Sequence, residues 1–254
     1  MRQFIPYEMT DHKTGRTRKC YLVKYEKHIY NSIRIGSLEY YRKIEGNQSD
    51  PMEGRVEGII YEAEKDTDIS REEILALSNG ALDIQARDGI TFGKGGSYTD
   101  EIPRKCRNAY IFCCSIEYGV FPNPERMAYF QANEHYVVDN NDVFRQVVSE
   151  ELFTRAKTKD GLSFSKEKHY IKSWEAPVRY LKRIKAKAEL PLNILDFFIY
   201  QKDPKFEIEQ EYRFTWIFFD KETHKPVEMH IDPIDIECNH DIGSAYVNDI
   251  QKKP

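Results

Sequence analysis

Three stretches of the 254-residue chain gather side chains able to do chemistry. The sharpest is FEIEQEYRF, residues 206–214. Read as one strand, it sets Glu207, Glu209 and Glu211 on a single face with Arg213, and Ile208, Gln210, Tyr212 and Phe214 on the other. Carboxylates set side by side repel one another unless cations or solvent compensate. A carboxylate crowded by like charge or by apolar groups keeps its proton to higher pH, which suits acid–base work. A solvated sheet face with Glu211 paired to Arg213 accounts for the same pattern.

The second stretch runs from Lys24 to Glu53 and holds Tyr25, Tyr40, Tyr41, Arg42, Glu45 and Asp50. As an extended strand it turns Glu39 and Tyr41 one way and Tyr40 and Arg42 the other, so that one face can stack a flat ring. Asp50 and Glu53 frame the turn DPMEG, where two carboxylates bind a cation or fix the loop. The third stretch is CCSIEYG, where the hydroxyl of Ser115 ends an apolar run and can reach a ligand or bond the backbone.

The elements that must hold these groups are strands and short helices. CYLVKYE (20–26), IRIGSLEYYR (33–42, with Gly36 at a bend), VEGIIYEAE (56–64), AYIFCCSIEYG (109–119), HYIKSW (169–174) and 207–220 read as strands. SREEILALS has a capping box from Ser70 to Glu73. ALDIQARDGITFG reads as a hairpin, and GKGGSYTDEIP (93–103) as a flexible loop. Pro124 opens a short helix, residues 140–156 form a longer one, and PVRYLKRIKAKAELPL is helical in part until Pro191 stops it. PVEMHIDP and IDIECN close as strands. The strands lack regular βαβ spacing, so the fold is α+β, with mixed, mainly antiparallel sheets and short peripheral helices. Residues 1–19 read as a flexible lead-in and 20–254 as one domain.

Composition narrows the function classes. A net charge of −4 gives no global field toward nucleic acid, though the run KRIKAK (182–187) is a local basic patch. No apolar run spans a bilayer and the N-terminus lacks a signal-peptide core, which places the chain in the cytoplasm, off the membrane. The cysteines, at 20, 106, 113, 114 and 238, make neither a disulfide framework nor a zinc site, and Cys113 and Cys114 read as core thiols. No H-x-x-x-H and no G-x-S-x-G occurs, so metal and serine hydrolysis lack their motifs, and FGKGGS lacks the Walker spacing. No structural metal is expected.

In order, LVKY (22–25), SDPME (49–53), CCS (113–115) with MAYF (127–130), and EQEYR (209–213) resemble a widespread bacterial family of unknown function found near phage-defence and mobile-element genes. That family carries L-x-K-Y, N-D-P-F-E, C-F-S, M-W-x-x-Y and E-x-E-x-R; here Ser49, Met52 and Ala128 depart from the pattern. The layout is also similar to the mono-ADP-ribosyltransferase plan, which implies a split sheet and NAD as substrate. Carried over, Lys24 is the first-strand residue that holds the nicotinamide-side ribose, in place of the usual Arg or His. Tyr40 or Tyr41 stacks on the nicotinamide, and Ser115 is the middle-strand hydroxyl. Glu211 is the catalytic acid and Glu209 orients the acceptor. Arg42, Asp50, Glu53 and Arg213 complete the substrate site.

The resemblance implies an intracellular ADP-ribosyltransferase or NAD glycohydrolase acting as a toxin or phage-defence effector, with a protein or nucleic acid as possible acceptor. Two other readings use the same residues. Asp50, Glu53, Glu209 and Glu211 around Mg²⁺ would make a nuclease. An aromatic cleft without turnover would make a sensor of nucleotides or of a phage protein.

Overall fold

In a computed structural model of the chain, residues 7–10, 17–26, 32–43, 55–56, 59–62, 67–69, 90–92, 97–100, 104–105, 108–118, 122–138, 140–180, 186–188, 198–237 and 246–248 are described. The chain divides into two compact units: residues 1–51, 108–178 and 205–254, and residues 52–107 and 179–204. In chain order the elements begin with β1 (Tyr7–Thr10), β2 (Thr17–Glu26), β3 (Ser32–Ser37) and α1 (Leu38–Lys43). The second unit then contributes β4 (Arg55–Val56), β5 (Ile59–Glu62), β6 (Thr67–Ile69), β7 (Ile90–Phe92), β8 (Ser97–Asp100) and β9 (Arg104–Lys105). The first unit resumes with β10 (Tyr110–Glu117), α2 (Pro124–Tyr129), β11 (Glu134–Val138), α3 (Asn141–Arg155) and β12 (His169–Pro177). Next come β13 (Arg179–Tyr180), β14 (Ala186–Ala188), β15 (Gln201–Lys202), a 3₁₀ turn at Pro204–Glu209, β16 (Glu211–Asp220), β17 (Ile234–Glu237) and β18 (Tyr246–Asn248).

The first unit is built on one nine-stranded sheet, with β12-β16-β10-β2-β11-β18 in line, β1 beside β2, and β3 between β10 and β17. Every pairing described in it is antiparallel. The second unit holds short ladders: β14-β5-β8, β13-β15, β4-β9 and β6-β7. The fold is therefore α+β, mainly antiparallel, with few short helices.

One face of the large sheet is apolar and carries α3. Phe144, Val148 and Leu152 recur at four-residue spacing, which lines them up on one side of that helix, and all three are buried. They meet Phe112, Phe214, Trp216 and Phe218, with Phe144 centred 5.0 Å from Phe112 and 5.1 Å from Phe214. Fully burying one such ring contributes about 1.5–3 kcal/mol, so this layer supplies most of the unit's cohesion. Asn140 caps α3 by accepting from Val143 N, and Asn123 caps α2 by accepting from Glu125 N and Arg126 N.

Several local readings change. Tyr7–Thr10 pairs with Thr17–Cys20, so a strand lies inside the stretch read as a lead-in. The strand expected through IRIGSLEYYR stops at Ser37, because Ser37 Oγ accepts from Tyr40 N at 3.1 Å and starts α1 as an N-cap. Ser97–Asp100, read as loop, pairs with β5. Ile90–Phe92 pairs with Thr67–Ile69, outside the hairpin expected within 81–93. Arg179–Tyr180 and Ala186–Ala188 are strands where helix was expected; β-partners outweigh a weak helical preference there. The Ser70 capping box, Asp50 and Glu53 lie outside the described residues.

Candidate functional site

The opposite face of the same sheet is polar, and that contrast is visible in β10. Tyr110, Phe112, Cys114 and Ile116 belong to the apolar layer, while Ile111, Cys113, Ser115 and Glu117 point the other way. Register extends this second face onto β16, where Thr215, Arg213 and Glu211 stand opposite Ile111, Cys113 and Ser115. Five of its polar residues are nearly sealed from water: Ser115 at 3%, Glu117 at 2%, Glu211 at 5%, and Arg213 and Thr215 each at 1% exposure. Desolvating opposite charges costs about as much as their attraction returns, so such a floor is not a device for stability.

Across β10 the sheet forks. Its β16 edge is paired from Tyr110 to Ser115. On the other edge, Ser115–Glu117 pair with β2 and Tyr110–Ile111 pair with β3, and these two ladders leave Phe112, Cys113 and Cys114 between them. Side chains from four distant segments converge on this fork. Lys24 Nζ lies 5.6 Å from the centre of the Phe112 ring and 3.7 Å from Glu26 Oε1. Tyr41 reaches back from α1 over Gly36, where a Cβ would come within 2.4 Å of its ring. Arg213 grips Glu211 with two bonds, Nε to Oε1 at 2.7 Å and Nη2 to Oε2 at 3.1 Å.

The electrostatics tie the members together. Burial pushes the Tyr41 phenol well above its usual range, and the charges of Cys113, Glu211 and Glu26 add to the rise. Burial likewise raises the Cys113 thiol; Glu211 raises it further, against opposing pulls from Arg213 and Lys24. Burial pulls the Lys24 ammonium down, but Glu26, Cys113, Cys114 and Glu211 outweigh it and the net shift is upward. At neutral pH the fork therefore holds an ammonium, a protonated phenol and a thiol beside the clamped Glu211.

Beside it lies a buried latch. Tyr25 donates to Glu117 Oε1 at 2.5 Å, and Arg126 Nη1 sits 2.5 Å from the same oxygen. The Arg126 guanidinium also donates to Ile116 O at 2.6 Å and Ile208 O at 2.9 Å, fastening α2 and the 3₁₀ turn to β10. Tyr129 donates to Glu209 Oε1 at 3.0 Å.

Tyr41, Glu211 and Arg213 share the polar side of the fork, and Ser115 faces Glu211 directly across the ladder. Lys24 reaches the fork from the apolar side, over Phe112, where the charge of Glu211 is still felt. Glu207 and Glu209 do not share a strand face with Glu211. Pro204–Glu209 is a 3₁₀ turn, and Gln210 breaks the alternation at φ 43°, its amide N and its side-chain Nε2 both donating to Glu207 O. Glu209 is buried against Tyr129, and Glu207 is exposed. Tyr40 turns toward Arg34, whose guanidinium is raised first by its bonds to Asp235 and also by Tyr40. Arg42 is half-buried on α1. Cys113 is on the polar face, not in the core; Cys114 is the core thiol of the two. Glu117, Arg126 and Glu26 join the site without having been singled out by their sequence context, and Tyr25, noted in the second stretch, joins it through Glu117. Period-two reading of 110–117 would have found Glu117, since a carboxylate closing the inward register of an apolar strand needs a partner.

No protein family, curated protein or solved structure matches the chain. Among the described residues no group of three His, Cys, Asp or Glu is arranged to hold a metal ion, and no helix is long and apolar enough to cross a membrane.

Two expectations follow from this geometry. Gly36→Ala should cost about 1–3 kcal/mol by forcing the Tyr41 ring aside. In a Tyr41→Ala background the same change should cost far less, which urea unfolding of the four proteins of the cycle measures. The second expectation concerns alkali. Burial holds the Cys20 thiol up at about 11 and the Tyr110 phenol at about 12, with Cys113 and Tyr41 also raised. The unfolded chain ionises these groups first, so stability is complete below the ordinary thiol value and is lost as pH climbs toward the folded values. The urea midpoint should be level up to about pH 8 and fall between roughly pH 9 and pH 11; a midpoint level across that window contradicts it.

Proposed function

We propose that the fork is an NAD-cleaving site and that the protein is an ADP-ribosyltransferase or NAD glycohydrolase of the cytoplasm. The observation that carries this reading is the clamped Glu211 and Tyr41 at one break in the sheet, which Lys24 reaches from the other side over Phe112. The chemistry needs that set. The C–N bond between ribose and nicotinamide breaks, and its electron pair leaves on the ring nitrogen as neutral nicotinamide. Positive charge then develops on the sugar's anomeric carbon. A carboxylate held in place by a neighbouring guanidinium stabilises that charge and accepts a hydrogen bond from the ribose 2′-hydroxyl. A phenol ring held over a glycine offers a surface for the nicotinamide. Lys24 counters the phosphates. Water, or a hydroxyl or nitrogen of a protein or nucleic acid, then bonds to the anomeric carbon and gives up its proton. An activity that drains NAD suits a toxin or phage-defence effector.

The test is to incubate the purified chain with NAD, alone and with RNA, DNA or cell protein, with and without EDTA, and to follow free nicotinamide. Release that persists in EDTA supports the reading. No release under any of these conditions removes it. Metal-dependent breakdown of the nucleic acid would assign the carboxylates to a nuclease instead.

A further inference from the structure

One edge of the large sheet is long and open. β12 ends the line β12-β16-β10-β2-β11-β18 and, among the described residues, pairs with β16 alone. All nine of its residues, His169 to Pro177, run in register against β16 without a bulge. Edge strands are normally blunted by shortness, a bulge or an outward charge, because their unpaired amides template another strand. The other end of the line follows that rule, since β18 is only three residues long. β12 does not. Its exposed Lys172 lays its ammonium back over the sheet, 5.1 Å from the Phe219 ring centre and 5.9 Å from that of Tyr170.

The direction of the hydrogen bonds identifies the open amides. Just beyond the two ends of β12, Val178 N donates to Glu211 O and Lys221 N donates to Lys168 O. Bonded and non-bonded pairs alternate along an antiparallel ladder, so the even-numbered residues of β12 bond β16. His169, Ile171, Ser173, Glu175 and Pro177 turn their backbone groups outward. Pro177 has no N–H, and His169 N already donates to Ser165 O at 2.8 Å. Among the described residues, the outward donors still open are therefore those of Ile171, Ser173 and Glu175.

We propose that β12 pairs antiparallel with β12 of a second copy of the chain, joining two sheets across a twofold axis at Ser173 or Trp174. With the axis at Ser173, Ile171 meets Glu175 and Lys172 meets Trp174, a cation against an indole. With the axis at Trp174, the two indoles meet, Ser173 meets Glu175 and Lys172 meets Ala176. Either way all three open donors of each copy reach a carbonyl and no like charges stand opposite. Axes at Ile171, Lys172 or Glu175 each set two carboxylates or two ammoniums face to face. The charges of β12 thus suit its own copy. This interface does not depend on the NAD reading of the fork.

Light scattering during gel filtration tests it. The wild-type chain should elute with twice its 30.0 kDa mass and return to the monomer on dilution. Ser173→Pro removes a donor that β16 does not use, and proline is tolerated at such outward edge positions, so the thermal midpoint should stay put. Its dimer should be roughly 10–100-fold weaker, the loss of two backbone bonds. Introduced cysteines locate the axis. Under mild oxidation Ser173→Cys or Trp174→Cys, whichever stands on the axis, should give a covalent dimer that neither the wild type nor Lys172→Cys gives. A wild-type chain that stays monomeric at every concentration overturns the proposal and leaves the edge to an extended segment of another protein. A dimer of undiminished strength in folded Ser173→Pro also overturns it. So does the absence of a cross-link at both 173 and 174, whether or not Ser173→Pro folds.

Discussion

Glu211→Gln is expected to lower nicotinamide release by roughly 10²–10³-fold, the usual effect of removing one group that stabilises transition-state charge. Its amide still accepts a hydrogen bond from Arg213 but no longer carries charge. The variant also strips the Glu211 charge from beside a guanidinium that is 1% exposed. Removing one partner of a buried pair costs about 3–5 kcal/mol, so the single substitution alone can fail through misfolding. Glu211→Gln combined with Arg213→Met separates the two effects. The double variant removes both charges, so its thermal midpoint should return toward wild type while its turnover stays lost. Wild-type turnover in either folded variant removes Glu211 from the chemistry. Cys113 gives an independent readout, because the Glu211 charge helps raise its thiol. Without that charge the thiolate forms at lower pH, and Cys113 should alkylate faster in peptide mapping.

The second large effect is structural. Arg126→Leu should destabilise the protein by about 3–5 kcal/mol, because Glu117, at 2% exposure, loses the cation that offsets its charge and keeps the Tyr25 hydroxyl. Two carbonyls, Ile116 O and Ile208 O, lose the same donor. For a chain of this size the thermal midpoint should fall by roughly 6–20 °C. Adding Glu117→Gln should recover part of that loss, because it removes the stranded charge. Since Ile208 lies in the turn that leads into Glu211, Arg126→Leu should also weaken any activity at the fork. A scan that leaves the midpoint within about 1 °C of wild type contradicts the latch.

Much of the frame was legible in the chain. β10 declared itself as a long apolar run of β-forming residues, and α2 by Pro124 at its first position. These signals are local, acting through one residue and its near neighbours, so they survive without knowledge of the rest of the fold. Some errors came where a distant strand supplied a partner, as at Tyr7–Thr10, Ser97–Asp100 and Ala186–Ala188, and others where a single polar atom or a single dihedral angle redirected the backbone. Ser37 Oγ ended a strand that the sequence pattern would have continued to Arg42, and Gln210 at positive φ severed Glu209 from the face of Glu211.

Side-chain chemistry in the chain was enough to nominate Lys24, Tyr41, Glu211 and Arg213, since charge, aromaticity and alternation are properties of short segments. It could not say that Tyr40 would turn away or that Cys113 would join the polar face. Those outcomes depend on strand order and register, which are set when segments far apart in the chain pair. A slip of one residue in β10 against β16 would send Arg213 into the aromatic layer and Phe214 onto the polar floor.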